Sequence, residues 1–195
     1  MIGRNGSQCD FDIITRWRLR ADPEELTNIV LEPQSIHVWC PSVFLDSEVL
    51  DRGRDDGLGM TIRLHSKGWL PHAFFCIARI VDLVPHRFMA IEVRGEFEGI
   101  GMLWVTPVGN GNCEAVLHWR TNIRHPYVRR LTRLLNPIFV LNHKWAMRRA
   151  HRLMQEEIDR RRAGSERVTT ARATFPHNMP ATAATTWDDT RSGTV

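Results

Sequence analysis

Apolar and polar residues alternate from residue 11 to residue 20. Phe11, Ile13, Thr15, Trp17 and Leu19 fall on one side, and Arg16, Arg18 and Arg20 on the other. A period of two predicts a half-buried strand. Asp22-Pro23-Glu24-Glu25 follows. An N-cap Asp, a first-turn Pro and first-turn carboxylates predict a helix start. Pro33 stops that helix, and a second short helical piece over 33–39 ends at Pro41. Strand patterns then recur over 43–51, 57–66, 73–84, 87–97, 99–106 and 113–123, each break holding Gly, Pro or Asn. Links this short require antiparallel neighbours. In the run 107–112, Pro-Val-Gly-Asn-Gly-Asn marks a hairpin.

The period changes after His125-Pro126. Val128, Leu131, Leu134, Leu135, Ile138, Phe139, Leu141, Trp145, Leu153 and Ile158 keep near-helical spacing. Pro137 lies inside this stretch and predicts a kink. From residue 163 the periodicity is lost, and 163–195 reads as a disordered tail. The folded domain is then expected over residues 1–162. One strand, two small helices, six strands and a long helix make an α+β layout, a curved antiparallel sheet of about seven strands around the C-terminal helix. The space between sheet and helix is a preferred place for a ligand.

Several sequence features suggest a relation. Gly95-Glu96-Phe97-Glu98-Gly99-Ile100-Gly101 precedes Pro107-Val108-Gly109-Asn110-Gly111, then Trp119, then Asn142-His143 with Met147. This order resembles the START-like, or SRPBCC, helix-grip superfamily, and within it the bacterial polyketide cyclase/dehydrase-like members. The resemblance spans roughly residues 11–158. It implies an internal cavity for an apolar or amphipathic small molecule: a lipid, a sterol, a polyketide or an aromatic metabolite. Some such proteins cyclise and dehydrate poly-β-keto chains, and others only carry or sense ligands, so the resemblance implies a pocket and leaves the chemistry open.

The expected lining comes from the strand residues Trp17, Met60, Ile62, Met89, Ile91, Val93, Trp104 and Trp119. Leu135, Phe139, Asn142 and His143 complete it from the helix. His37, His72, His118 and His143 are the acid/base candidates, because imidazole titrates near neutrality. His143 leads, being on the closing helix beside Asn142, where an Asn-His pair could hold a ligand carbonyl. His118 alternates with Leu117 and Trp119 and is expected to face away from them. Glu92, Arg94 and Glu96 alternate with apolar neighbours and predict a charged outer face, as does Arg79; a register slip of one residue would instead turn Arg94 inward. His37 and Cys40 have no second ligand pair, so no metal is expected, and no cofactor motif occurs.

Composition refines this picture. Seven Trp stand against one Tyr, and four Cys lie far apart with no C-x-x-C pair. No signal-peptide pattern opens the chain, so a cytoplasmic protein with reduced thiols is expected. Net charge is +4. Its source is residues 126–162, with ten basic and three acidic side chains. That basic helix face reads as a solvated surface, as an anionic-membrane contact or as non-specific nucleic-acid affinity, with no motif for specific nucleic-acid binding. Three functions stay open: a cavity protein that binds a hydrophobic or aromatic ligand and, as the resemblance allows, acts on it as polyketide cyclases do; a non-catalytic lipid or quinone carrier that docks on membranes through the arginine helix; or a structural or regulatory protein with a closed, filled core. The sequence leaves the oligomeric state open.

Overall fold

The computed structural model describes residues 9–70, 73–124 and 126–164, and within 126–136 it describes the backbone. Strand β1 (Phe11–Leu19) leads into α1 (Pro23–Val30). A 3-10 turn (Pro33–Ser35) then runs into the short helix α2 (Ile36–Trp39). Six strands follow: β2 (Phe44–Asp51), β3 (Thr61–Lys67), β4 (Ala73–Val84), β5 (Phe88–Gly95), β6 (Phe97–Gly109) and β7 (Asn112–Ile123). Helix α3 (Pro126–Arg162) closes the chain and continues through Pro137. The strands form one antiparallel sheet in the order β1-β7-β6-β5-β4-β3-β2.

Local chemistry accounts for most boundaries. The Glu25 carboxylate accepts the Asp22 N–H at 2.7 Å, so the predicted cap starts α1. Asn110 adopts a left-handed φ of 53° in the β6–β7 hairpin, as the Gly-Asn-Gly run requires. Three boundaries differ from the expected ones, one being the end of β6, which runs to Gly109 rather than stopping at residue 106. Gly57 and Gly59 sit in left-handed conformations with φ of 90° and 86°, so the chain turns through Leu58 and β3 starts only at Thr61. The β5–β6 break falls at Glu96 rather than at Glu98, and Gly99 is already paired with both Val93 and Thr121.

The register decides which residues face α3. One row across the concave face reads Ile13, Trp119, Gly101, Ile91 and Ile80. The next reads Thr15, Leu117, Leu103, Met89 and Leu83. Arg79, Glu92, Arg94 and His118 fall on the convex face, as the alternation predicted; Arg94 bonds Glu92 at 2.9 Å, and His118 meets Asp12 at 2.6 Å.

Helix α3 is held at both sheet edges. On the β1 side the His151 ring stacks on Trp17 at 5.6 Å, and its Nε2 meets the Arg18 carbonyl at 2.9 Å. Across from it, the Arg149 guanidinium donates to Ser42 Oγ at 3.1 Å, just before β2. The dense core lies at the C-terminal end of α3. Leu153, Met154 and Ile158 pack there with Leu19, Leu26, Ile29, Trp39, Val105 and Cys113.

Much of the arginine-rich end of α3 is engaged in this packing. Arg160 and Arg161 both reach the buried Glu157 at 2.8 Å; Arg161 also pairs with Glu32, and Arg162 with Glu25. Arg161 and Arg162 clamp α3 to the α1 region. The expected free basic face therefore does not extend to this end of the helix. The expected tail lies outside the described residues from 165 onward.

Candidate functional site

The concave face has two closed ends and an open middle. At one end stands the core around Leu153 and Val105. At the other, aromatic rings run from the sheet to the helix. Phe74 meets Phe97 at 4.9 Å, Phe97 meets Phe11 at 6.1 Å, and Phe11 meets Phe139 at 6.4 Å. Between them, Ile62, Leu64, Met89, Ile91, Leu103, Leu117 and Trp119 face α3, yet all remain only partly buried. Inward positions of a close-packed core would be sealed. Among the described residues α3 packs chiefly on β1, β7 and α2. The inward apolar side chains between the two ends are thus left partly open.

Gly101 shapes the floor of this open middle. A Cβ there would lie 2.6 Å from Trp119 Cζ3 and 3.0 Å from Ile91 Cγ1. The missing side chain lets the Trp119 indole lie across β6. Gly99 serves the sheet instead: a Cβ there would run into the Arg120 carbonyl. The spaced glycines of the 95–101 run thus have separate tasks.

His143 lies on the α3 row 139, 143, 147, 151, where residues four apart share a face. Phe139 touches Phe11 and His151 stacks on Trp17, so this row faces the inner side of β1. His143 Nε2 is buried, with no hydrogen-bond partner among the described residues. Burial pushes its pKa down to about 4, so the ring is neutral at pH 7. A buried polar atom without a partner costs free energy.

Asn142, its expected partner, is otherwise engaged. Its Oδ1 accepts the Leu70 N–H at 3.1 Å, and its amide fills the space beside Gly68. It ties the β3–β4 connection to α3. We predict that Asn142→Ala costs about 1–2 kcal/mol, the cost of one lost buried hydrogen bond. The Leu70 amide should then exchange faster, and hydrogen exchange compared with urea unfolding would read both effects.

Of the remaining expected lining, Trp17, Ile62, Met89, Ile91, Trp119 and Phe139 face the concave side. Met60 precedes β3, and its carbonyl accepts the Ile80 N–H at 2.9 Å. Val93 faces inward but is 1% exposed and belongs to the packed wall. Trp104 is a correction. It pairs with Phe88 and Val116 on the convex face, is 37% exposed and tilts against the Phe88 ring at 5.4 Å. The parity set by Gly101 opposite Trp119 sends Leu103 and Val105 inward, and Trp104 outward. Leu64, Phe74, Phe97, Leu103 and Leu117 were not expected in the lining. They share the inward parity of the expected residues, and that was their only sequence signal.

Leu135 and His72 lie outside the residues whose side chains are described. His37 bonds Ser47 at 2.8 Å. Among the described residues no cluster of His, Cys, Asp and Glu could hold a metal, and no helix is long and apolar enough to cross a membrane. A separate open cleft of about 550 Å³ lies at the β2–β3 turn, bordered by Asp51, Arg54, Leu58 and Arg79. It is charged, and it lies apart from Trp119 and His143.

Comparison with known proteins agrees with this geometry. No protein-family model matches the sequence, and no curated protein matches it. Solved structures do. The Zhui aromatase/cyclase from Streptomyces sp. R1128 superposes with a TM-score of 0.64 at 15% identity, over 80% of this chain and 99% of that one. A START superfamily protein from Mycobacterium smegmatis gives 0.58 at 13% identity, over 76% and 97%. A protein from Thermus thermophilus gives 0.61 at 12%, over 75% and 99%. The chain has the helix-grip fold of START-like proteins. Its architecture is the one seen in the aromatase/cyclase.

Proposed function

We propose that the concave space binds a hydrophobic or aromatic small molecule, and that the protein acts on it as a polyketide cyclase/dehydrase-like enzyme. The observation that carries the binding is the row of inward apolar residues left partly open around Trp119 and Ile91. Such a surface favours apolar ligands at roughly 25 cal/mol per Å² covered. The enclosing walls would hold a flexible chain in a reactive fold and exclude water.

His143 is the one polar group we assign to the chemistry. A carbon between two carbonyls is acidic enough to pass its proton to the free imidazole nitrogen. The enolate left behind attacks a second carbonyl carbon, and the imidazolium returns the proton to the new alkoxide. Loss of hydroxide with a second proton releases water and gives the dehydrated ring.

The test is turnover of a poly-β-keto thioester mimic, read by mass as loss of one water. His143→Leu should lower turnover at least ~100-fold while leaving ligand affinity within a few fold. Unchanged turnover in that variant would remove His143 from the mechanism. A second reading keeps the cavity without the chemistry, as a lipid or quinone carrier. What favours it is the exposure of Ile138 and Leu141 on α3 near Lys144 and Arg148, which form no ion pair among the described residues. Ligand recovered unaltered after incubation with the protein would support it.

A further inference from the structure

We infer that the face of α3 around Leu141, together with residues 68–70 that follow β3, is a docking surface for anionic lipid bilayers. Leu141 is 54% exposed, Ile138 38% and Trp69 42%. Ile138 and Leu141 lie one turn apart on the helix; Trp145, four residues beyond Leu141, is half-buried and packs against the core. The Asn142–Leu70 hydrogen bond brings residues 68–70 onto the helix, and the exposed Trp69 is the residue before Leu70. Large apolar side chains gathered on one exposed face mark an interaction site rather than ordinary surface. A Trp there suits the headgroup region, where an amphipathic ring finds both of its preferred environments.

Charge selects the partner. Lys144 and Arg148 flank Leu141 on the exposed side of the helix. Neither forms an ion pair among the described residues; Arg148 Nε only donates to the Lys144 carbonyl, at 3.3 Å. The surrounding sequence is one-sided. Residues 115–155 contain nine Lys and Arg and no Asp or Glu, and residues 57–81 contain no Asp or Glu either. Apolar anchors beside Lys144 and Arg148, which have no ion pair among the described residues, fit the interface of an anionic bilayer, where each cation adds to the attraction. The apolar stripe here is separate from the inward row of α3, so docking does not require the core to open. The surface stands independently of what the cavity binds.

The experiment is co-sedimentation of the full chain with vesicles of phosphatidylcholine containing about one-third phosphatidylglycerol, against pure phosphatidylcholine, at low salt. Binding is expected to the anionic vesicles, and it should fall as salt rises. Trp69→Ser with Leu141→Glu, and separately Lys144→Glu with Arg148→Glu, should each weaken it at least ~10-fold. These side chains are exposed, so cavity-ligand affinity should be retained, and that separates loss of the surface from loss of the cavity. Ile14→Ser on the convex face should change nothing. Three results would overturn the inference: no binding to anionic vesicles, binding undiminished in both double variants, or a self-associated chain that Leu141→Glu converts to monomer without affecting vesicle binding.

Discussion

Gly101→Val is expected to weaken apolar-ligand binding at least ~10-fold, which corresponds to about 1.4 kcal/mol. Even the first added carbon would lie 2.6 Å from the Trp119 ring and 3.0 Å from Ile91. Neighbouring strands fix the backbone on both sides, so the indole must move. It can move only away from the sheet, into the space where the ligand would sit. Stability should fall by about 1–3 kcal/mol, as in other overpacked interiors. Gly101 has no left-handed φ, so the effect is one of space and not of backbone conformation. Gly101→Ala should show the same loss in weaker form. Fluorescence titration and urea unfolding, run on the same preparations, separate the two effects.

The second large effect concerns His143 and pH. Its folded pKa is lowered to about 4 by burial, against an ordinary value of 6.5. Below pH 6.5 the unfolded chain therefore takes up a proton that the folded chain refuses. Stability from this group is complete above that value and declines as pH falls toward 4. The whole difference amounts to about 3 kcal/mol, and roughly 2 kcal/mol is lost between pH 7 and pH 4.5. Carboxylates also titrate in this range, so the comparison is with His143→Leu. That variant should lack the His143 part of the slope. It should be no less stable than the parent at pH 7, since it removes a buried nitrogen without a partner. Equal slopes in parent and variant would mean that the imidazole is hydrated in the folded protein.

The sequence made the elements legible and made the site legible only in part. Alternation in β1 and the Asp22 cap placed the start of the fold, because local spacing and capping report local backbone geometry. The inward residues of β5 followed from the same alternation. Trp104 shows where that reasoning fails. Its facing depends on how β6 pairs with β7, and a register is a property of two strands. Asn142 shows a second limit: its bond to Leu70 spans 72 residues and leaves no pattern nearby. The arginines of α3 show a third. Spacing put them on one helix, but Glu25 and Glu32, which engage the last of them, come from the α1 region.

The tryptophan excess is partly explained by the fold. Trp119 lies on the floor of the concave space, Trp17 closes its β1 edge against His151, and Trp69 stands exposed beside α3. The central claim is that the inward apolar face is a binding cavity and not a loosely filled core. The most direct measurement is intrinsic tryptophan fluorescence during titration with a hydroxylated anthraquinone, comparing the parent with Gly101→Val. Saturable one-to-one quenching in the parent, lost or weakened at least ~10-fold in the variant, is the predicted result. Absence of saturable binding in the parent, or equal binding in both proteins, would contradict it.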